Sequence, residues 1–162
     1  MSNRKEHIAI DNKYRTIGQE CFKNSIRIRT VVMPETEMIE QQAFYSCTAL
    51  QSAVFPKMKK IMKEAFAGCS NLTGVSFPSQ LIFLGQSAFD RCKRLESISF
   101  DGKSELKTIE TGAFAECRYL HELALPEQLE YIEKEAFYKC DQLKQIVLPD
   151  TIKSIGDQAF YQ

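Results

Sequence analysis

Residues 132–149 read IEKEAFYKCDQLKQIVLP, and this pattern recurs along almost the whole chain. Phe137 sits at its centre, and Phe stands at the equivalent place at 22, 44, 66, 89, 114 and 160. The steps between them are 22, 22, 23, 25, 23 and 23 residues. Ala precedes the Phe in every copy but the first, where Cys21 stands. Three residues after it come Cys47, Cys69, Cys92, Cys117 and Cys140, with Ser25 in the first copy. Six after come Ile28, Leu50, Leu72, Leu95, Leu120 and Leu143. Nine after come Val31, Ala53, Val75, Ile98, Leu123 and Ile146, and eleven after Met33, Phe55, Phe77, Phe100, Leu125 and Leu148. Pro then follows, except where Asp101 replaces it. Five before each Phe is Ile, or Leu at Leu84. Agreement at so many places defines an internal repeat, the strongest organising signal a sequence can carry.

Positions are counted here from the Phe. Plus nine and plus eleven alternate with period two, as in a half-buried strand. LESISF (95–100) and LKQIVL (143–148) are examples. The Pro cannot donate to a ladder, so the strand stops there. The chain then bends back and points Leu or Ile inward at minus eight and minus five. Ile39, Ala43, Cys47 and Leu50 are spaced four, four and three, which fits one face of a short helix that also carries Phe44. Each coil is therefore expected to be strand, turn, and a short helical or 3-10 segment, an α/β architecture. One coil cannot bury its own apolar side, but coils stacked about 4.8 Å apart can. The expectation is a single leucine-rich-repeat solenoid over residues 1–162, about seven coils of 22–25 residues, starting and ending mid-repeat. Its parallel β-sheet would lie on the concave face, with the Phe and Cys positions as internal ladders. Ile8 and Ile10 fit the strand of an earlier coil. The longest step places two extra residues in DGKSELKT (101–108), expected as a surface loop.

The motif I-x-x-x-A-F-x-x-C-x-x-L-x-x-I-x-L-P closely resembles the BspA-like, or Treponema-pallidum-type, leucine-rich repeats. The resemblance covers about residues 8–162, and residues 132–149 match at every named position. It implies surface or secreted proteins of anaerobic bacteria and some mucosal protists, described as adhesins or host-interaction proteins. It carries no catalytic residues and no fixed ligand site.

Composition is compatible with that. Hydrophobic residues make up 44 % and charged residues 26 % of the 162, an ordinary globular balance. Lys plus Arg and Asp plus Glu are 21 each. No basic excess points to nucleic acid or an anionic membrane. No apolar run approaches the roughly 20 residues that cross a bilayer. The start, MSNRKEHIAIDNKYR, has no apolar core with a small-residue cleavage site, so this stretch carries no secretory signal. The expected location is the cell surface or outside if the repeats belong to a longer protein, and the cytoplasm otherwise.

Several residues invite a chemical reading. Five of the six Cys are one repeat apart and none forms a C-x-x-C pair, so a ladder of buried free thiols is expected rather than zinc or a disulfide framework. His7 and His121 are too far apart in the register for a metal site. No nucleophile-and-base motif appears, so neither enzyme nor cofactor nor metal is expected. Asn71-Leu72-Thr73 fits a glycosylation acceptor, but Asn71 is better placed to support a turn. Lys57, Lys59, Lys60 and Lys63 read as a solvated turn.

Function is expected where the alternation points outward, at plus eight and plus ten. These positions hold Thr30 and Val32, Ser52 and Val54, Gly74 and Ser76, Ser97 and Ser99, Glu122 and Ala124, and Gln145 and Val147. The surface is small-sided and nearly uncharged, and it lacks the aromatic and Arg anchors of tight interfaces. Tyr45, Tyr138 and Tyr161 offer contact points on another side. The repeats show no polar caps at either end, which suits a longer array or self-association through the ends. The leading expectation is a non-enzymatic module binding a host or neighbouring-cell protein or glycan. An intracellular scaffold and a structural spacer without its own ligand are the alternatives.

Overall fold

A computed structural model describes residues 6–162. The first five residues of the expected domain, which also open the stretch read for a signal, lie outside the described residues. The first half of the chain contains β1 (His7–Ala9), β2 (Thr16–Ile17), β3 (Thr30–Val32), β4 (Met38–Ile39), β5 (Ser52–Val54), β6 (Lys60–Ile61), β7 (Gly74–Phe77) and β8 (Phe83–Leu84). The second half adds β9 (Ser97–Phe100), β10 (Thr108–Ile109), β11 (Glu122–Ala124), β12 (Tyr131–Ile132) and β13 (Ser154–Ile155). Every pairing is parallel.

The chain winds as a solenoid with two strand ladders. The long ladder joins β1, β3 and β5, and then β7, β9 and β11. Its register sets Ile8 beside Val31, Val31 beside Ala53, and Val75 beside Ile98. That is the plus-nine position, as the alternation requires, and Ile8 takes its expected place. The short ladder joins β2, β4, β6 and β8, and then β10, β12 and β13. It sets the minus-five residues Ile17, Ile39, Ile61 and Leu84 side by side. The period-two alternation predicts the first ladder; the second carries no such signal.

No helix is present among the described residues, so the expected helical or 3-10 segments are corrected to turns and the architecture to an all-β solenoid. The hydrogen bonds give the reason. In the Phe44 coil, the amides of Ala43, Tyr45 and Cys47 donate three residues back, to Glu40, Gln42 and Phe44. The amides of Gln42, Phe44 and Ser46 donate instead to Lys63, Ala65 and Ala67 of the next coil, at 2.8–3.1 Å. A helix would keep all six donors to itself. Alternating them between the coil and its neighbour needs a backbone that reverses hand at regular places. Accordingly, the minus-two and plus-two residues have positive φ in coil after coil. Gln42 and Ser46 are at 56° and 55°, Ser87 and Arg91 at 53° and 57°, Glu135 and Lys139 at 56° and 54°. Gly occupies these places only at Gly68 and Gly112. The others are all polar and unbranched at Cβ, and so avoid the β-branched types that this region penalises most.

The core follows the ladders. Seven Phe rings, from Phe22 to Phe160, stack with centroids 5.0–5.5 Å apart and planes within 16°. Phe55, Phe77 and Phe100 form a second aromatic row under the long ladder. Each buried Cys donates its thiol to a Phe carbonyl one coil back, from Cys47 to Phe22 at 3.0 Å through Cys140 to Phe114 at 3.3 Å. Cys suits this place because it is small, apolar and carries one weak donor.

Two features depart from the repeat. The extra residues after Phe100 bulge at the corner between the ladders, as expected, with Asp101, Gly102 and Lys103 exposed. Ser104 is buried there, its hydroxyl near Leu81 O, and anchors the bulge. Residues 144–149 do not pair as a strand, although their sequence fits the motif completely. Val147 is 84 % exposed and even Leu148 is 37 % exposed. This segment borders one coil only, which leaves its outer side open to solvent, but unlike β1, which also has a single neighbour, it does not pair with that neighbour.

The positive φ at Ser87 makes a direct test. Ser87→Gly should leave stability unchanged or raise it by up to ~1 kcal/mol, whereas Ser87→Val should cost ~1–2 kcal/mol. In a helix the Gly variant would instead lose ~0.5 kcal/mol. Urea unfolding midpoints of the three proteins distinguish the two backbones.

Candidate interaction face

The long ladder turns its plus-eight and plus-ten side chains to solvent. Thr30 stands beside Ser52 and Val32 beside Val54. Gly74 stands beside Ser97 and Ser76 beside Ser99. Glu122 and Ala124 continue the rows next to Ser97 and Ser99. Val32, Ser52, Val54, Ser76, Ser99, Glu122 and Ala124 are exposed, and Thr30, Gly74 and Ser97 are half-buried. Gln145 and Val147 are exposed too, but on the unpaired segment, so they do not extend the rows. That corrects their expected place in the sheet.

The rows are close-fitting. A Cβ built on Gly74 would lie 2.9 Å from Ser97 Oγ, so a larger residue there would displace its neighbour. Ser99 Oγ donates to Ser76 Oγ at 3.2 Å. Val54, Ser76 and Ser99 also line an open groove of about 460 Å³. Its far wall is the corner Pro56, Pro78 and Asp101; in the sequence the two prolines read as strand stops and Asp101 as the start of a surface loop. Sequence reasoning also missed His7, whose Nδ1 lies 2.8 Å from Thr30 Oγ1 and which starts the plus-eight row. The register of Ile8 was the available signal.

The other candidates have structural partners. The Asn71 side-chain amide donates to Thr48 O at 2.7 Å, holding the turn of one coil to the previous one. His121 Nδ1 lies 2.9 Å from Tyr119 O, far from His7 in the register. Tyr138 stacks on Tyr161 at 5.4 Å, and Lys139 lies over Tyr138. Lys57 pairs with Glu35, Lys59 with Glu37 and Lys63 with Glu64. Lys57 and Arg15 together hold the Glu35 carboxyl below its ordinary range. Lys153 and Lys107 do the same for Glu130. Among the described residues, no His, Cys, Asp and Glu side chains gather as a metal-binding group. No helix among them is long and apolar enough to cross a membrane.

The thiol ladder is chemically quiet. Burial pushes Cys47 up to about 11 and Cys140 up to about 12. It holds Cys69, Cys92 and Cys117 well above the ordinary thiol range. A nucleophile would need the thiolate, which these sites disfavour. Cys21, at the place of an Ala, is the exposed exception.

Two parallel ladders, one coil per repeat and a stacked aromatic spine define a leucine-rich-repeat solenoid. The chain belongs to the BspA-type leucine-rich repeat family, whose model matches six copies over residues 2–101 and 37–162. Repeats of this family are typically non-catalytic binding modules. No curated protein matches the chain. Among solved structures it resembles a leucine-rich cell surface protein from Faecalibacterium prausnitzii A2-165, with 28 % identity and a TM-score of 0.81. The match covers 96 % of this chain and 45 % of that one. The Treponema pallidum leucine-rich repeat protein shares the fold at 22 % identity and a TM-score of 0.62, with 93 % and 81 % covered. The pneumococcal vaccine antigen PcpA shares it at 13 % identity and a TM-score of 0.61, with 91 % and 35 % covered. The chain spans about half the length of the first of these relatives.

Native protein treated with a thiol-specific disulfide reagent near pH 8 should react at one of its six Cys, Cys21, and at all six in urea. Rapid reaction of further thiols without denaturant would contradict the buried, protonated ladder.

Proposed function

We propose that the chain is an adhesin-like interaction module of a bacterial cell-surface protein, binding a host or neighbouring-cell protein or glycan. The long-ladder face is the contact surface. One observation carries this reading: a largely exposed, nearly uncharged double row on the long ladder, deepened into a groove beside Val54, Ser76 and Ser99. The likeness to a cell surface protein at 28 % identity supports the compartment. Preformed small side chains cost little entropy to fix, which favours a broad contact with an extended partner. The absence of aromatic and Arg anchors in these rows favours modest affinity, and leaves a structural spacer as the second reading.

The test immobilises the chain and a Val54→Glu, Ser76→Glu, Ser99→Glu triple variant, and exposes each to extracellular-matrix proteins and a glycan array. The expected result is saturable binding by the parent and a loss of at least tenfold in the variant, with matched melting temperatures. Equal binding by both would remove this face from the account. No saturable binding by the parent would favour the spacer.

A further inference from the structure

The short ladder carries a second outward surface, and one coil breaks its pattern. At minus seven the charge alternates: Arg15, Glu37 and Lys59 precede the break, and Lys107, Glu130 and Lys153 follow it. Backbone hydrogen bonds between coils hold each triplet in register, Lys59 N to Glu37 O at 2.8 Å and Glu130 N to Lys107 O at 2.8 Å. Side chains follow, with Lys59 on Glu37 at 2.8 Å and Lys107 on Glu130 at 3.1 Å. Between Lys59 and Lys107 the alternation calls for a carboxylate. Ile82 stands there instead, 46 % exposed, and the next residue, Phe83, is 36 % exposed. Lys60 lies beside Phe83 in the ladder and has no ion pair among the described residues.

We infer that Ile82 and Phe83, framed by Lys59, Lys60 and Lys107, form a docking site for a protein segment that presents a carboxylate next to an apolar side chain. The partner's carboxylate takes the place that the charge ladder leaves empty. One hydrogen-bonded spacing, ~5 Å, separates Lys59 from the place of Ile82, and β10, which Lys107 immediately precedes, packs against β8 on the other side without pairing with it, so an acid at that place faces both lysines. Its apolar neighbour covers Phe83. Charge complementarity selects this partner: Lys59 and Lys107 each pair with one carboxylate, Glu37 and Glu130, on the side away from the break, and Ile82 occupies the equivalent position between them. The site is independent of the long-ladder face and goes beyond the function proposed for it.

The probe is a fluorescein-labelled peptide of one Phe flanked by Glu pairs, titrated in low salt against the whole chain. Controls replace Glu by Lys, or Phe by Ser. The first peptide should bind, more weakly as salt rises. Both controls should bind at least tenfold more weakly. Ile82→Glu supplies the missing charge from within. It should weaken peptide binding at least tenfold while holding the melting temperature or raising it by ~1–3 °C. Phe83→Ser should weaken binding without filling the charge gap, and Val54→Glu should leave binding unchanged. No binding of the first peptide overturns the inference, as does equal binding of either control. So does unchanged binding by Ile82→Glu, or a fall of several degrees in its melting temperature. Loss of binding in Val54→Glu would move the peptide to the other face.

Discussion

The amide of each inner ladder phenylalanine donates to the carbonyl of the alanine before the next one, at 2.7–2.9 Å from Phe22 through Phe137. This bond and its neighbours two residues to either side turn an apparent helix into one edge of a stacked coil. They set the coil spacing, which brings the rings to 5.0–5.5 Å and the thiols to their carbonyls. They also compel left-handed backbone at residues such as Gln42 and Ser46. Such conformations persist when the surroundings over-determine them, and here each lies between bonds to an adjacent coil.

The same constraint separates structural from variable residues. Ala, Phe, Cys and Leu of the repeat face inward and recur because every coil needs them. The residues that change from coil to coil are those on the outer rows of the two ladders. The long ladder exposes Val, Ser and Ala with few charges, and the short ladder exposes alternating charges interrupted at Ile82. The two surfaces therefore suit different partners. A repeat family can alter either one without touching its spine.

The repeat, its period and the inward or outward sense of the long-ladder strands were legible in the sequence because periodicity reports burial directly. The turn segment was not. Ile39, Ala43, Cys47 and Leu50 at spacings of four, four and three satisfy a helical face, and side-chain spacing is silent about where amides donate. Glycine would have marked the left-handed positions, but it stands at only two of them, Gly68 and Gly112. Residues 144–149 mislead in the other direction: their pattern fits a strand, but they do not pair with β11. The groove wall of Pro56, Pro78 and Asp101 was hidden because it comes from three coils, and only the stacking brings them together.

Amide hydrogen exchange tests the inter-coil bonding most directly. The amides of Phe44, Phe66, Phe89 and Phe114, with those two residues to either side, should be protected as strongly as Val31, Val75 and Ile98 in the long ladder. All of them should open only in large cooperative units of the solenoid. Exchange at the Phe-position amides at the rates of exposed loops, while the strand amides stay protected, would contradict the account.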